Sequence, residues 1–349
     1  MNPAWQQYLR DHAGAEFADE HVVHYGNAAR ELRVASSGAI ISDLSHLALL
    51  RARGPDAATF LQGQLTHDIH AATATHSPLA AHCSPQGRVL ALLRILARED
   101  GYGLLLPRAL LEDTLARLRT YVLMAKVSLE PDPETVLIGY AAATAEATLT
   151  GLLGGCPTED HGTLSTAAYT TVRLPGPHPR FVISGSAADI QTLWQKLDVN
   201  AAPVGAAPWR LLDILAGMPQ VTPETADRFV PQMLNLDVLG AINFQKGCYT
   251  GQEVVARMRY LGKLKRRMFL LHCDADTPPG PGAALYSPAL RSDEAAGTVV
   301  SAAPHPDGGS RLLAVLRLEA QDAAWRLGGI NGPACQRGTL PYSWEKAAH

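Results

Sequence analysis

The sequence predicts an α+β protein of two or three domains that ends in a small antiparallel β-barrel or sandwich. Three observations carry this expectation. The chain has 349 residues, enough for more than one hydrophobic core. Up to about residue 260, short strand-like runs are mixed with helical repeats. After Gly262 the texture changes. Met268 to His272, Gly297 to Ser301 and Leu312 to Leu318 are short β-type runs, and turn-rich stretches such as Thr277-Pro278-Pro279-Gly280-Pro281-Gly282 and Pro306-Asp307-Gly308-Gly309 separate them.

Taken in order, residues 38–53 read as strand, turn and strand. Gly54-Pro55-Asp56 then opens a helix through Phe60 and Leu61, which Gln62-Gly63-Gln64 ends. His82-Cys83-Ser84 runs into a Pro85-Gln86-Gly87 turn. Val89 to Leu96 is a strand, and Gly101 separates it from a second, Tyr102 to Leu106. Leu111, Leu115, Leu118 and Val122 repeat at helical spacing. Pro131-Asp132-Pro133 is read as a hinge. Beyond it, Val136 to Ile138 and Arg180 to Ile183 are strands, and Ser186 caps a helix that runs to Leu197. Ala207 to Ala216 is helical and stops at Gly217-Met218-Pro219. Gln220 to Arg228 is a polar loop, and the run after Arg257 is a solvated strand-and-loop face.

Composition narrows the function classes. The chain is 47% hydrophobic and 18% charged with net charge −3, so attraction to polyanions must be local. This balance argues against direct nucleic-acid binding. The polar, aromatic N-terminus has no apolar leader core, and no apolar run reaches membrane-spanning length. The five cysteines, Cys83, Cys156, Cys248, Cys273 and Cys335, are scattered and odd in number, which argues for a reducing compartment. The chain reads as cytoplasmic, with no membrane partner.

One segment carries chemistry. Lys246-Gly247-Cys248-Tyr249-Thr250-Gly251-Gln252-Glu253 sets a cysteine between glycines, after a lysine and before Arg257 and Arg259. Cations favour thiolate, and glycines permit tight turns and close approach. The ordinary alternative is a small buried apolar cysteine beside a turn. Six basic residues, Arg257, Arg259, Lys263, Lys265, Arg266 and Arg267, form a local cationic run. It is read as a solvated face or as an anion site. His82 beside Cys83 is structural, and His67, Asp68 and His70 lack the donor set a zinc site requires, so no metal site is assigned.

Phe229-Val-Pro-Gln-Met-Leu-Asn-Leu-Asp-Val-Leu-Gly240, Phe244 through Glu253, and Val255-Ala-Arg257 with Leu261-Gly262 resemble the signature of the YgfZ family, folate-binding relatives of the glycine-cleavage T-protein. The K-G-C-Y-x-G-Q-E core has seven fixed positions of eight. A looser likeness runs in the same order through Leu61-Gln-Gly-Gln64, Tyr121 to Val127 and Trp209 to Pro219, and covers most of the chain.

This resemblance implies a three-domain T-protein-like ring. Residues 1–132 with 203–261 would form a folate-binding-type α+β domain, 133–202 a ferredoxin-like α+β insert, and 262–349 a C-terminal antiparallel β-barrel. It also implies an accessory factor in iron–sulfur cluster assembly or repair that serves client enzymes, tRNA-modifying ones among them. Cys248 would be the functional thiol, with Lys246 and Arg257 as its cations. Tetrahydrofolate would meet Trp209, Asp213, Tyr249, Gln252, Glu253 and Arg259. The alternatives are a folate-dependent one-carbon transferase and an RNA-binding module that uses the basic run.

Three departures bear on these implications. The T-protein's aspartate falls in Gln86 to Leu93, where this chain has no carboxylate, only residues such as Leu90 and Ala91. Many relatives carry a glutamate where this chain has Leu215, and some have a tryptophan where it has Leu47. The first departure argues against aminomethyl transfer, and the other two weaken the folate assignment.

Overall fold

The computed structural model describes residues 1–18, 21–260, 262, 264–290, 294–320 and 323–344. Leu261 and Lys263, counted above in the signature and the basic run, lie outside the described residues. The chain divides into two units. One comprises residues 1–58, 70–78 and 94–212, the other residues 59–69, 79–93 and 213–349.

The first unit is built on a six-stranded sheet. Its order is Thr163–Ser165, Tyr169–Leu174, Arg180–Gly185, Val136–Ala141, Ile40–Asp43 and Ala202–Val204. All pairings are antiparallel except the last, in which Ala202–Val204 runs parallel to Ile40–Asp43. The 133–202 segment therefore does not stand as a separate sheet. Val136–Ala141 has an open edge of backbone donors and acceptors, and Ile40–Asp43 satisfies it.

The helix Ala187–Leu197, capped by the Ser186 hydroxyl on the Asp189 N–H, lays Ile190, Leu193, Trp194 and Leu197 into the core. Trp194 meets Trp5 edge-on, with ring centroids 5.3 Å apart. Trp5 lies on a helix, Pro3–His12, where the sequence suggested only a polar, aromatic end. Asn2 caps that helix, and its buried face carries Trp5 and Leu9. The same unit holds a second sheet. In it Leu47–Arg53 pairs with Gly101–Pro107 and Ser128–Pro131, and residues 94–98 add to Gly101–Pro107.

The second unit contains a closed six-stranded barrel, as the C-terminal texture predicts. Its order is Arg266–Cys273, Ser310–Arg317, Gly297–Pro304, Ala284–Tyr286, Trp325–Leu327 and Ala334–Arg337, which returns to the first strand. Alternate residues of these strands, Phe269, Leu271 and Cys273 among them, fill the interior with Leu285, Val299, Leu312, Ala314 and Trp325. Arg267 is anchored by a two-pronged pair with Asp237 at 2.6 and 2.8 Å, and it also donates to the Gln232 carbonyl. Ahead of the barrel, Gln252–Tyr260 is an α-helix, not the strand-and-loop face expected for its basic end. Glu253–Arg257 spacing puts opposite charges one turn apart, which suits a helix and not an alternating strand.

Candidate functional site

The cysteine loop is held by anchors on both sides of Cys248. The ammonium of Lys246 donates to the carbonyls of Gln62 (2.7 Å), Leu65 (2.6 Å) and His67 (3.1 Å). An ammonium has three hydrogens, and these three oxygens take them. Two of the carbonyls lie just past the last turn of the helix Ala57–Gln62 and one belongs to it, a place where carbonyls lack helical partners. Burial pulls the Lys246 pKa down to about 8. Its charge also sits 5.1 Å from the Tyr249 ring centroid. The sequence assigned Lys246 to the thiol; its hydrogen bonds instead tie the loop to residues 62–67.

Tyr249 is the second anchor. Its ring is buried, and burial pushes its phenol pKa up. Its N–H donates to the Gln252 side-chain oxygen at 3.3 Å, and the Gln252 N–H returns a bond to the Tyr249 carbonyl at 3.1 Å. With 246 and 249 turned inward, Gly247 and Cys248 face out. Cys248 is the exposed cysteine of the five; Cys83, Cys273 and Cys335 are buried and Cys156 is intermediate. The alternative reading, a small buried apolar cysteine, is therefore overturned. An exposed cysteine gains little from burial, so core packing does not account for this one.

Glycines let the loop lie close against the Ser84–Arg88 turn. Gly251 has φ +83°, and a Cβ there would meet the Ser84 carbonyl oxygen at 2.4 Å and the Gly87 Cα at 2.8 Å. Gly87 has φ +69°, and its Cβ would meet that of Val254 at 2.7 Å. Both positions thus demand glycine twice over, for conformation and for space. The far side of the turn is closed by a residue pair the sequence does not connect. Ser84 Oγ donates to Asp227 Oδ1 at 2.7 Å across 143 positions, and Asp227 adopts φ 61°. Its N–H donates to the Val89 carbonyl, and the Val89 N–H donates to that of Phe229. No local pattern signals this pairing, because its halves meet only in the fold.

The other residues assigned from the sequence separate. Arg257 pairs with Glu253 at 2.6 Å, one turn apart on an exposed helix face. Arg259 lies 4.0 Å from the Phe244 ring centroid and 5.7 Å from that of Tyr260. Those contacts clamp the helix end to the segment before the loop. Gln252 holds Tyr249, as described. Asp213 is half-buried near the end of the helix Ala206–Leu215.

Trp209 belongs to the first unit and is 1% exposed in its core. Its ring presses on Gly139 so closely that a Cβ there would lie 2.6 Å away, and the Arg180 guanidinium stands 5.5 Å from the ring centroid. The resemblance has tetrahydrofolate meeting Trp209, whereas the packing closes its ring inside the core. The basic run is also broken up, because the 6%-exposed Arg267 is consumed by Asp237. Leu90 and Ala91 are buried strand residues, so the strand after the turn offers no carboxylate. Among the described residues, no three His, Cys, Asp or Glu side chains gather where a metal could be held.

Comparison with known proteins completes the description. No family model matches the chain. Over 295 residues it is 35% identical to a tRNA-modifying protein YgfZ of Edwardsiella ictaluri (strain 93-146), covering 84% of this chain and 89% of that protein. A tRNA-modifying protein YgfZ of Yersinia pestis (strain Pestoides F) is also 35% identical, over 297 residues, covering 84% and 90%. Among solved structures, the glycine cleavage system aminomethyltransferase T from Bartonella henselae superposes with a TM-score of 0.80 over 97% of each chain at 18% identity. That likeness shows a shared fold.

Proposed function

Because this chain belongs to the YgfZ family, we propose that it is a folate-dependent accessory factor in iron–sulfur cluster assembly or repair, supporting iron–sulfur enzymes that include tRNA-modifying ones. The observation that carries the reading is the exposed Cys248, presented between two anchored residues by a loop that matches the family signature. Lys246 and Tyr249 fix the backbone on either side. The thiol can thus meet a partner protein or an oxidised species arriving from solvent without ordering the loop first, which lowers the entropic cost of the encounter. Any metal or cluster that meets Cys248 is cargo. We place this work in the cytoplasm; no described helix is long and apolar enough to cross a membrane.

Folate is proposed from the T-protein-like fold alone. The residues assigned to it on sequence fit poorly. Trp209 is closed in the core, Gln252 is bonded to Tyr249, Arg259 lies on aromatic rings, and Leu215 supplies no carboxylate. We therefore route no step through the cofactor. One-carbon transfer by the T-protein route is disfavoured by buried Leu90 and Ala91, which exchange no proton. An RNA-binding role is disfavoured because Arg257 is paired with Glu253 and Arg267 is buried against Asp237, which takes two cations out of the basic run.

The test is complementation of a bacterial strain deleted for its own YgfZ protein, read as the activity of an iron–sulfur tRNA-modifying enzyme. The wild-type chain should restore that activity, and Cys248→Ser should restore roughly tenfold less at equal protein level. Full restoration by Cys248→Ser would defeat the proposal.

A further inference from the structure

The barrel holds two cysteines away from the site already described. Cys273 ends the first barrel strand and Cys335 lies in the last, and the two stand directly opposite in the antiparallel register. The ladder around them alternates. Gly338 N–H donates to the Leu270 carbonyl at 2.8 Å, and Asp274 N–H donates to that of Ala334 at 2.9 Å. Those bonds put 270 with 338 and 274 with 334 at hydrogen-bonded positions, so 273 and 335 fall at a non-hydrogen-bonded one. At such positions Cα atoms approach to about 4.5 Å and side chains lie closest. Disulfides accept Cα separations of about 4.4–6.8 Å. Both thiols point into the barrel interior and are buried, at 0% and 4% exposure.

We propose that Cys273 and Cys335 are an oxidative modification site, closing to a reversible disulfide that latches the first barrel strand to the last. In the reduced pair the neighbouring Cys335 thiol holds Cys273 below the ordinary thiol value against its burial, and Cys273 in turn pushes Cys335 up. Cys273 is accordingly the attacking sulfur. Its thiolate attacks one sulfur of a small-molecule disulfide, RSSR, to form a mixed disulfide. RS⁻ leaves and takes up the proton that Cys273 released. The Cys335 sulfur then attacks the Cys273 sulfur, loses its own proton, and expels the second RSH. The sum is two thiols and RSSR in, one protein disulfide and two RSH out. Access comes from opening the strand Ala334–Arg337, which at four residues has few ladder bonds to break.

The test uses the full chain carrying Cys248→Ser, so that the exposed thiol takes no part. The folded protein is held in oxidised glutathione, quenched in acid, unfolded, labelled with a maleimide, and digested without reductant. The expected result is two fewer labelled thiols and a cross-linked peptide pair containing residues 273 and 335. Dithiothreitol should reverse it, and the melting temperature should rise by roughly 5 °C. Cys335→Ala should instead leave the glutathione mixed disulfide trapped on Cys273. The proposal fails if both cysteines of the wild-type pair remain fully labelled, or if the cross-link forms only in denaturant.

Discussion

Lys246 shows how one side chain reassigns the meaning of a motif. Read along the chain, a cation two positions before a cysteine is a thiol activator. In three dimensions its ammonium is spent on the carbonyls of Gln62, Leu65 and His67, and the cysteine is exposed because its neighbours are anchored. Hydrogen bonds from a charged donor are each worth about 1.5–3 kcal/mol, offset here by the cost of burying the ammonium. Lys246→Met should therefore lower stability by about 2 kcal/mol, seen as a lower urea midpoint with an unchanged slope. An unchanged midpoint would mean the carbonyls are equally content with water. The motif's residue types were readable in sequence. The task of Lys246 was not, because its three partners lie more than 175 positions upstream.

The helix Gln252–Tyr260 and the loop before it form a single docking element. Gln232 fixes the helix from one side by donating to the Val255 carbonyl at 2.7 Å, and the Gly251–Gly87 approach fixes it from the other. Gly251→Ala would put a Cβ against backbone, which cannot step aside as a flexible side chain can, and it would also strain a positive φ. A loss of roughly 2–3 kcal/mol is expected, with faster amide exchange in residues 247–256. A variant with wild-type exchange rates would show that the contact with Ser84 and Gly87 relaxes freely. The glycines stand out in the sequence as turn formers. The surface they approach does not, and neither does the helical state of the basic residues that follow.

Across the whole chain, burial decides which ionisable groups set the pH response. His46 has its Nδ1 sealed from solvent, and burial lowers its pKa to about 3, helped by the charges of Arg210, His21 and Arg108. Its folded value lies below its unfolded one, so between pH 6.5 and 3 the unfolded chain binds more protons. The stability gained from keeping His46 neutral is fully present above pH 6.5 and is lost as pH falls through that window. His46→Gln should make the fall in melting temperature between pH 6.5 and 4 less steep. An identical slope in the variant would assign the acid limb to other groups. The barrel was legible from its spacing of strands and turns, since period-two burial and glycine–proline turns are local signals. The sheet shared by Ile40–Asp43 and Val136–Ala141 was not, because edge pairing between distant segments leaves no mark on either one.

The sequence sufficed for the family, the mixed α+β class and the terminal barrel. Each of these rests on residue types at short spacing, where local geometry and hydrophobic periodicity act. Which side chains stay free was decided only in the folded chain. Trp209 went to the core, Arg267 to Asp237, Lys246 to three carbonyls, and Asp227 came beside Ser84. A polar or aromatic group takes whatever partner the fold brings within about 3–5 Å, and long-range topology, not neighbouring letters, sets that distance.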